Sequence, residues 1–247
     1  MNDVNSLPPG TTRDAILDGL RDPGFVRLGA ATMLRLLGQD TVAHWESFGA
    51  LWDDLGQDRY MADGGRYRRR RYAAFTHADG QLTRKPHQPH FQSRDYNPLN
   101  GEVQRWFDPV LAETEEHPVT CALLALCSEL FSAADTGTPD SRWGIEFHQF
   151  RIETTPGHIG RPTPEGLHRD GVDWVFVILL CRRNVRDGLT VIRAPDGTNL
   201  GSFLLSDPGD AVLLDDHRIL HGVTEINAVD PALPAYRDVL VVTFTRE

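Results

Sequence analysis

EGLHRDGVDWVFVILL, residues 165–180, runs from a polar turn into the unbroken apolar stretch Trp174–Leu180, with a histidine and an aspartate two residues apart at its mouth. The apolar stretch reads as a buried strand bounded by turn residues. Carboxylates rarely approach such interiors unless a partner balances their charge. In extended backbone, residues two apart project to the same side, so His168 and Asp170 form a pair on one face. The pair is either a polar turn or part of a metal site.

Working outward, residues 141–247 consist of short apolar or alternating runs: GIEFHQFRIET, VDWVFVILLC, LTVIRA, GSFLL, AVLLD, LHGVTEI and RDVLVVTFT. Turn chemistry separates several of them, at Arg186-Asp187-Gly188, Pro195-Asp196-Gly197 and Asp207-Pro208-Gly209-Asp210. Many short strands at this spacing predict a β-sandwich or barrel, without the interposed helices of a parallel sheet. Residues 1–140 read mainly as helical. Thr11 or Thr12 caps a helix through Leu20, and ATMLRLLG, TVAHWESFGALWDDLG, residues 101–116 and residues 117–134 repeat apolar positions at three- and four-residue spacing. Trp45, Trp52 and Trp106 are expected in the core. GFVRL reads as an isolated strand and RRRRYAAFTHADGQLTRK as a hairpin turning at Ala78-Asp79-Gly80. ADTGTPDS, residues 134–141, is the clearest break. The expectation is a mainly β chain with flanking helices (α+β), forming a single domain: 1–140 as helical buttress and hairpin, 141–247 as the core.

Length and composition fit this reading. The chain has 247 residues, 40% hydrophobic and 24% charged, ordinary for a globular protein. A formal charge of −10 argues against general affinity for nucleic acid or anionic membranes. No run approaches the roughly 18 apolar residues that cross a bilayer, and the amino terminus lacks a signal-peptide pattern. Cys121, Cys127 and Cys181 show no CxxC spacing and are expected as reduced, mostly buried thiols of a cytoplasmic protein.

A metal site needs a third ligand. His221 opens the strand-like LHGVTEI, 51 residues past Asp170. His217 lies in the polar DDHR turn, and His158 in a Pro/Gly-rich loop. Strand context favours His221. Two histidines and a carboxylate on one face form the facial triad of non-haem Fe(II) oxygenases, which leaves coordination positions for a co-substrate and dioxygen. Zinc sites more often recruit cysteine, and none is near. Arg237 starts the last apolar strand, where a buried guanidinium requires an anion. A carboxylate would supply it bidentately.

HQFRIET, PEGLHRDGVDWV, DDHRILHGVTEI and YRDVLVVTF together resemble the bacterial 2-oxoglutarate/Fe(II)-dependent dioxygenases of the L-isoleucine 4-hydroxylase type, over roughly residues 60–246. The resemblance implies a double-stranded β-helix (jelly-roll) barrel buttressed by the amino-terminal helices. It implies Fe(II), 2-oxoglutarate and O2, with His168, Asp170 and His221 as metal ligands and Arg237 as the 2-oxoglutarate anchor. It also implies hydroxylation of a free L-amino acid or close derivative, coupled to decarboxylation of 2-oxoglutarate to succinate. One departure stands out: many members of the wider superfamily carry Ser or Thr two residues after that arginine, where this chain has Val239. The competing readings are a cupin-like metal-dependent isomerase or lyase, and a non-catalytic barrel that binds a small ligand. For the substrate's carboxylate the arginine-rich strand offers Arg69 and Arg71; in HQFRI, Gln149 and Arg151 share one face and His148 and Phe150 the other, and either face is a candidate to line the cavity and meet substrate.

Overall fold

The computed structural model describes residues 6–7, 10–135, 142–155 and 157–247. In chain order the strands are β1 (Ser6–Leu7), β2 (Phe25–Leu28), β3 (Gly56–Gln57), β4 (Arg68–Ala78), β5 (Gln81–Arg84), β6 (Trp143–Thr154) and β7 (Trp174–Arg183). They continue with β8 (Val185–Asp187), β9 (Thr190–Arg193), β10 (Asn199–Phe203), β11 (Ala211–Asp215), β12 (Leu220–Val223), β13 (Ile226–Ala228) and β14 (Ala235–Arg246). A nine-stranded sheet runs β1-β2-β11-β7-β14-β6-β4-β3, with β5 paired to β4. A three-stranded sheet, β10-β9-β12, and a two-stranded ribbon, β13-β8, complete the set. All pairings are antiparallel except β1 with β2.

The period-2 pattern of the long strands decides what each face of the large sheet meets. Val175, Leu179, Val212 and Val239 pack inward against Ile192 and Phe203 of the small sheet. Phe176, Ile178, Val242 and Phe244 point the other way, into a core shared with the helices, chiefly Pro118–Ala134. Mainly β with flanking helices is therefore what forms, as two facing sheets of jelly-roll type.

The boundary between halves is less clean than composition suggests. GFVRL is not isolated: it pairs with β11 as β2, and β4 lies beside β6. The hairpin turns as expected, with Asp79 (φ 52°) and Gly80 (φ 71°) both in the left-handed region that a two-residue turn demands. Residues 101–116 are not a helix beyond Ala112–Glu115. The segment instead lends backbone to the edge of β4, with Tyr72 N–H donating to the Asp108 carbonyl (2.9 Å) and Val110 N–H to that of Tyr72 (3.1 Å). Trp106 consequently lies half exposed at 52%, Trp45 is partly buried and only Trp52 is fully buried. TVAHWESFGALWDDLG splits into the short helices Gln39–Val42 and Trp45–Ala50. Most of the ADTGTPDS break falls outside the described residues, as do Met1–Asn5. All three cysteines are free, but only Cys127 is buried; Cys121 is exposed. Among the described residues no helix is long and apolar enough to cross a membrane.

Candidate active site

Between the two sheets lies a cavity, partly open to solvent, that contains His168, Asp170, His221 and Arg237. Backbone pairing brings the first three together. His168 and His221 exchange N–H···O bonds of 3.0 Å as an isolated antiparallel bridge, which sets their rings 4.6 Å apart. Asp170 Oδ1 lies 3.6 Å from His168 Nε2, and its Oδ2 lies 3.5 Å from His221 Nε2. The turn after Asp170 is held by Asp216, which accepts the N–H groups of Asp170, Gly171 and Val172 at 3.0, 2.7 and 3.1 Å. Gly171 sits at φ +83°, and a Cβ there would meet the Tyr96 ring at 2.5 Å. The close approach and the left-handed backbone both require glycine.

The donor set suits a divalent cation. His168 Nδ1 lies 3.0 Å from the Gly166 carbonyl, so it carries the proton and leaves the Nε2 lone pair toward Asp170 and His221. Burial would push His168 down, yet Asp170 and Glu165 carry it up to about 9. Burial, then His168, push His221 down to about 4. Burial opposes ionisation of Asp170, but the imidazoles beside it prevail and hold it below the usual carboxylate range. Such a cluster holds positive charge readily, and a metal ion would take the place of the shared proton. His217 is elsewhere, 68% exposed and paired with Asp173 at 2.8 Å, and His158 is exposed.

Arg237 is 2% exposed, and its Nε and Nη2 have no hydrogen-bond partner. Burial, reinforced by the neighbouring Arg182, pushes its guanidinium down to about 9. Neither Asp238 nor Glu225 neutralises it, since they pair with Arg151 and Arg161. An orphaned guanidinium in the cavity of a three-ligand cluster fits one end of a bound dicarboxylate. Val239 lies beside it on the cavity face, and the lining hydroxyls are Thr163 and Thr243.

The four polar side chains expected at the substrate lie on the opposite strand faces. Arg69 pairs with Glu153, and Arg71 with Asp54 and the Pro109 carbonyl. Gln149 donates to the Leu51 carbonyl, and Arg151 grips Asp238 at 2.8 Å through two nitrogens. None of the four lines the cavity; their alternates Arg68, Arg70, His148 and Phe150 do. The choice between parities could not be made from the runs RRRR and HQFR, because each offers a polar group on both faces.

A second cluster shares the cavity: His90, Glu146 and His148, with ligand atoms as close together as those of the first. Its hydrogen bonds are already spent. Arg105 donates to His90 Nδ1 at 2.8 Å and Arg70 to His148 Nδ1 at 2.5 Å, so both Nε2 atoms carry protons toward Glu146. Tyr72 donates to the other Glu146 oxygen at 2.6 Å. Two flanking guanidiniums and no free imidazole lone pair make this a buttress, not a cation site. Gln92 links the clusters: Asn97 and Arg105 donate to its oxygen, which turns its amide toward Asp170 Oδ1 at 3.2 Å. His90 and Gln92 come from a stretch without periodicity, and Arg105 from residues 101–116, whose helical spacing misdirected the reading.

The family model described as 2OG-Fe dioxygenase matches residues 49–243. The chain is 28% identical over 169 residues to the 3(1)-hydroxy-L-isoleucine 4-dioxygenase of Pantoea ananatis, covering 68% of each chain. Among solved structures, a bsmA homolog from Methylobium petroleophilum PM1 superimposes with a TM-score of 0.88 at 39% identity, covering 98% of this chain and 96% of the other. IDO from Bacillus thuringiensis gives 0.80 at 17% identity, covering 98% of both chains, a likeness of fold.

Proposed function

The chain belongs to the 2OG-Fe dioxygenase family, whose cofactors are Fe(II), 2-oxoglutarate and O2, and from that premise we propose that it hydroxylates a free L-amino acid or a close derivative. The metal falls to His168, Asp170 and His221, and the far carboxylate of 2-oxoglutarate to Arg237. With iron bound, the site would couple 2-oxoglutarate and dioxygen to hydroxylation of a C–H bond, 2-oxoglutarate leaving as succinate and CO2 with one oxygen atom of O2 in the succinate and the other in the hydroxyl. The chain's own part is geometric and electrostatic. Gly166 fixes the His168 tautomer, Asp216 holds the metal turn, and Gln92 orients the Asp170 carboxylate. Val177, Val239 and Val241 give the cavity an apolar wall that limits water near the reacting carbon.

The observation that carries this reading is the buried, unpartnered Arg237 in one cavity with the triad. A cupin-like isomerase needs the triad but not this arginine, and a non-catalytic binding barrel would tolerate the loss of Asp170. The amino-acid class is supported by the isoleucine dioxygenase relative and by a partly enclosed cavity whose lining joins apolar side chains to buried charges. The test is succinate release with Fe(II), 2-oxoglutarate and a mixture of L-amino acids. His221→Ala is expected to abolish it, and His217→Ala to retain most of it. Substrate isomerised without succinate would contradict the reaction, and a dead His217→Ala beside an active His221→Ala would contradict the ligand set.

A further inference from the structure

The cavity retains an inventory of unmatched polar atoms after the metal cluster and Arg237 are set aside. Arg70 is 3% exposed and its Nε has no partner. Phe107 and Phe150 flank its guanidinium at 3.7 and 4.3 Å; His148 alone touches its edge within hydrogen-bond reach, and the Asp58 carboxylate, already paired with Arg68, stands 3.9 Å from its Nη1. Arg105 is 2% exposed, and its Nε is likewise unpartnered. On the acidic side, Glu146 is saturated by Tyr72, His90 and His148. Glu165 is not: its Oε1 stands 3.7 Å from His168 Nε2, but its Oε2 is buried without a partner, its side chain is 9% exposed, and it lines the same cavity. Its charge lies near enough to act on Arg105.

Buried donors and a buried acceptor left open in one cavity specify a ligand that brings both an anion and a cation. Resting on the amino-acid reading above, we propose that Arg70 and Arg105 receive the substrate's α-carboxylate and Glu165 its ammonium, so that the cavity selects a free zwitterion by both ends. The His90–Glu146–His148 cluster then positions the two guanidiniums, each held on an imidazole Nδ1. An α-amino acid carries its two charges one carbon apart, and Glu165 lines the same cavity as both arginines, within electrostatic reach of Arg105. Capping either end leaves a buried charge without its partner, the strongest basis for rejecting a near-identical molecule.

The test uses the iron-loaded chain with 2-oxoglutarate and a panel of the twenty L-amino acids, read by succinate release and product mass. For the best acceptor, its α-amide, its N-acetyl derivative and its des-amino acid are then compared. Each is expected to lose about 30-fold or more in kcat/KM. Glu165→Gln should raise KM for the free amino acid by a similar factor and narrow its advantage over the des-amino acid, while Glu165→Asp restores part of it. Thermal midpoint and iron content report separately on the fold and the metal loop, and the analogue series on the unaltered chain decides even where the variants do not fold. An N-acetyl derivative turned over as well as the free acid, or an undiminished preference in Glu165→Gln, overturns the receptor while leaving amino-acid hydroxylation intact. Hydroxylation of some other molecule with none of the panel accepted overturns both.

Discussion

At the scale of single residues, Arg237 couples sequence to function most directly. A guanidinium with two unpartnered nitrogens at 2% exposure is costly unless an anion arrives. Arg237→Ala should weaken 2-oxoglutarate by about 2–5 kcal/mol, roughly 30-fold to several-thousand-fold, in a titration of the iron-loaded protein. An unchanged affinity would place the anchor elsewhere. Gln92 acts through Asp170, with its amide orientation set by Asn97 and Arg105. Gln92→Ala is expected to lower iron affinity by about 10- to 100-fold while the thermal midpoint of the metal-free chain stays close to that of the parent. Iron binding equal to the parent's would make Gln92 a mere packing residue. His168, Asp170, His221 and Arg237 were all legible in sequence, because each stands at a strand mouth where a polar side chain needs a reason. Gln92 and Arg105 were not, because their segment is irregular and long-range contacts alone bring them to the cavity.

At the scale of elements, strand parity separates what sequence could and could not decide. HxD ahead of an apolar strand admits one side for both ligands, whereas RRRR on β4 and HQFR on β6 admit two. The register Arg70↔Phe150 and Arg68↔Ile152 turns the even-numbered residues of both strands inward. Arg151, on the outer face, then serves structure by holding the buried Asp238 beside Asp53. Burial raises Asp238 to about 6 even with this partner, so ionisation there depends on Arg151. Arg151→Ala should cost about 3 kcal/mol or more, because it leaves a buried carboxylate uncompensated. Denaturant unfolding reads this, and Asp238→Asn in the same chain should recover part of the loss. A variant as stable as the parent, or a shifted preference among amino acids, would return Arg151 to the substrate.

At the scale of the whole molecule, a chain of formal charge −10 turns four arginines, Arg68, Arg70, Arg105 and Arg237, toward one internal cavity. Net charge spoke to the outside of the molecule and was silent about its interior, where burial also shapes the response to pH. Burial, with Arg70 and His90 adding to it, pushes His148 down to about 3 despite Glu146 beside it. Below the ordinary histidine pKa of about 6.5, the unfolded chain takes up a proton that the folded one refuses until about pH 3. The unfolded state thus binds more protons across that window, and stability falls as pH falls through it, at up to about 1.4 kcal/mol per pH unit from this residue. His168, raised to about 9 in the metal-free chain, acts in the opposite sense: its contribution is full below about pH 6.5 and is lost as pH rises through 9. The metal-free protein should therefore be most stable near neutrality. Urea unfolding in chelator at pH 7, 6, 5 and 4 should show the acid limb, and His148→Gln should flatten it by up to one proton's slope. An acid limb equally steep in His148→Gln would mean that His148 is already charged in the fold and that its Nδ1 does not accept from the Arg70 guanidinium.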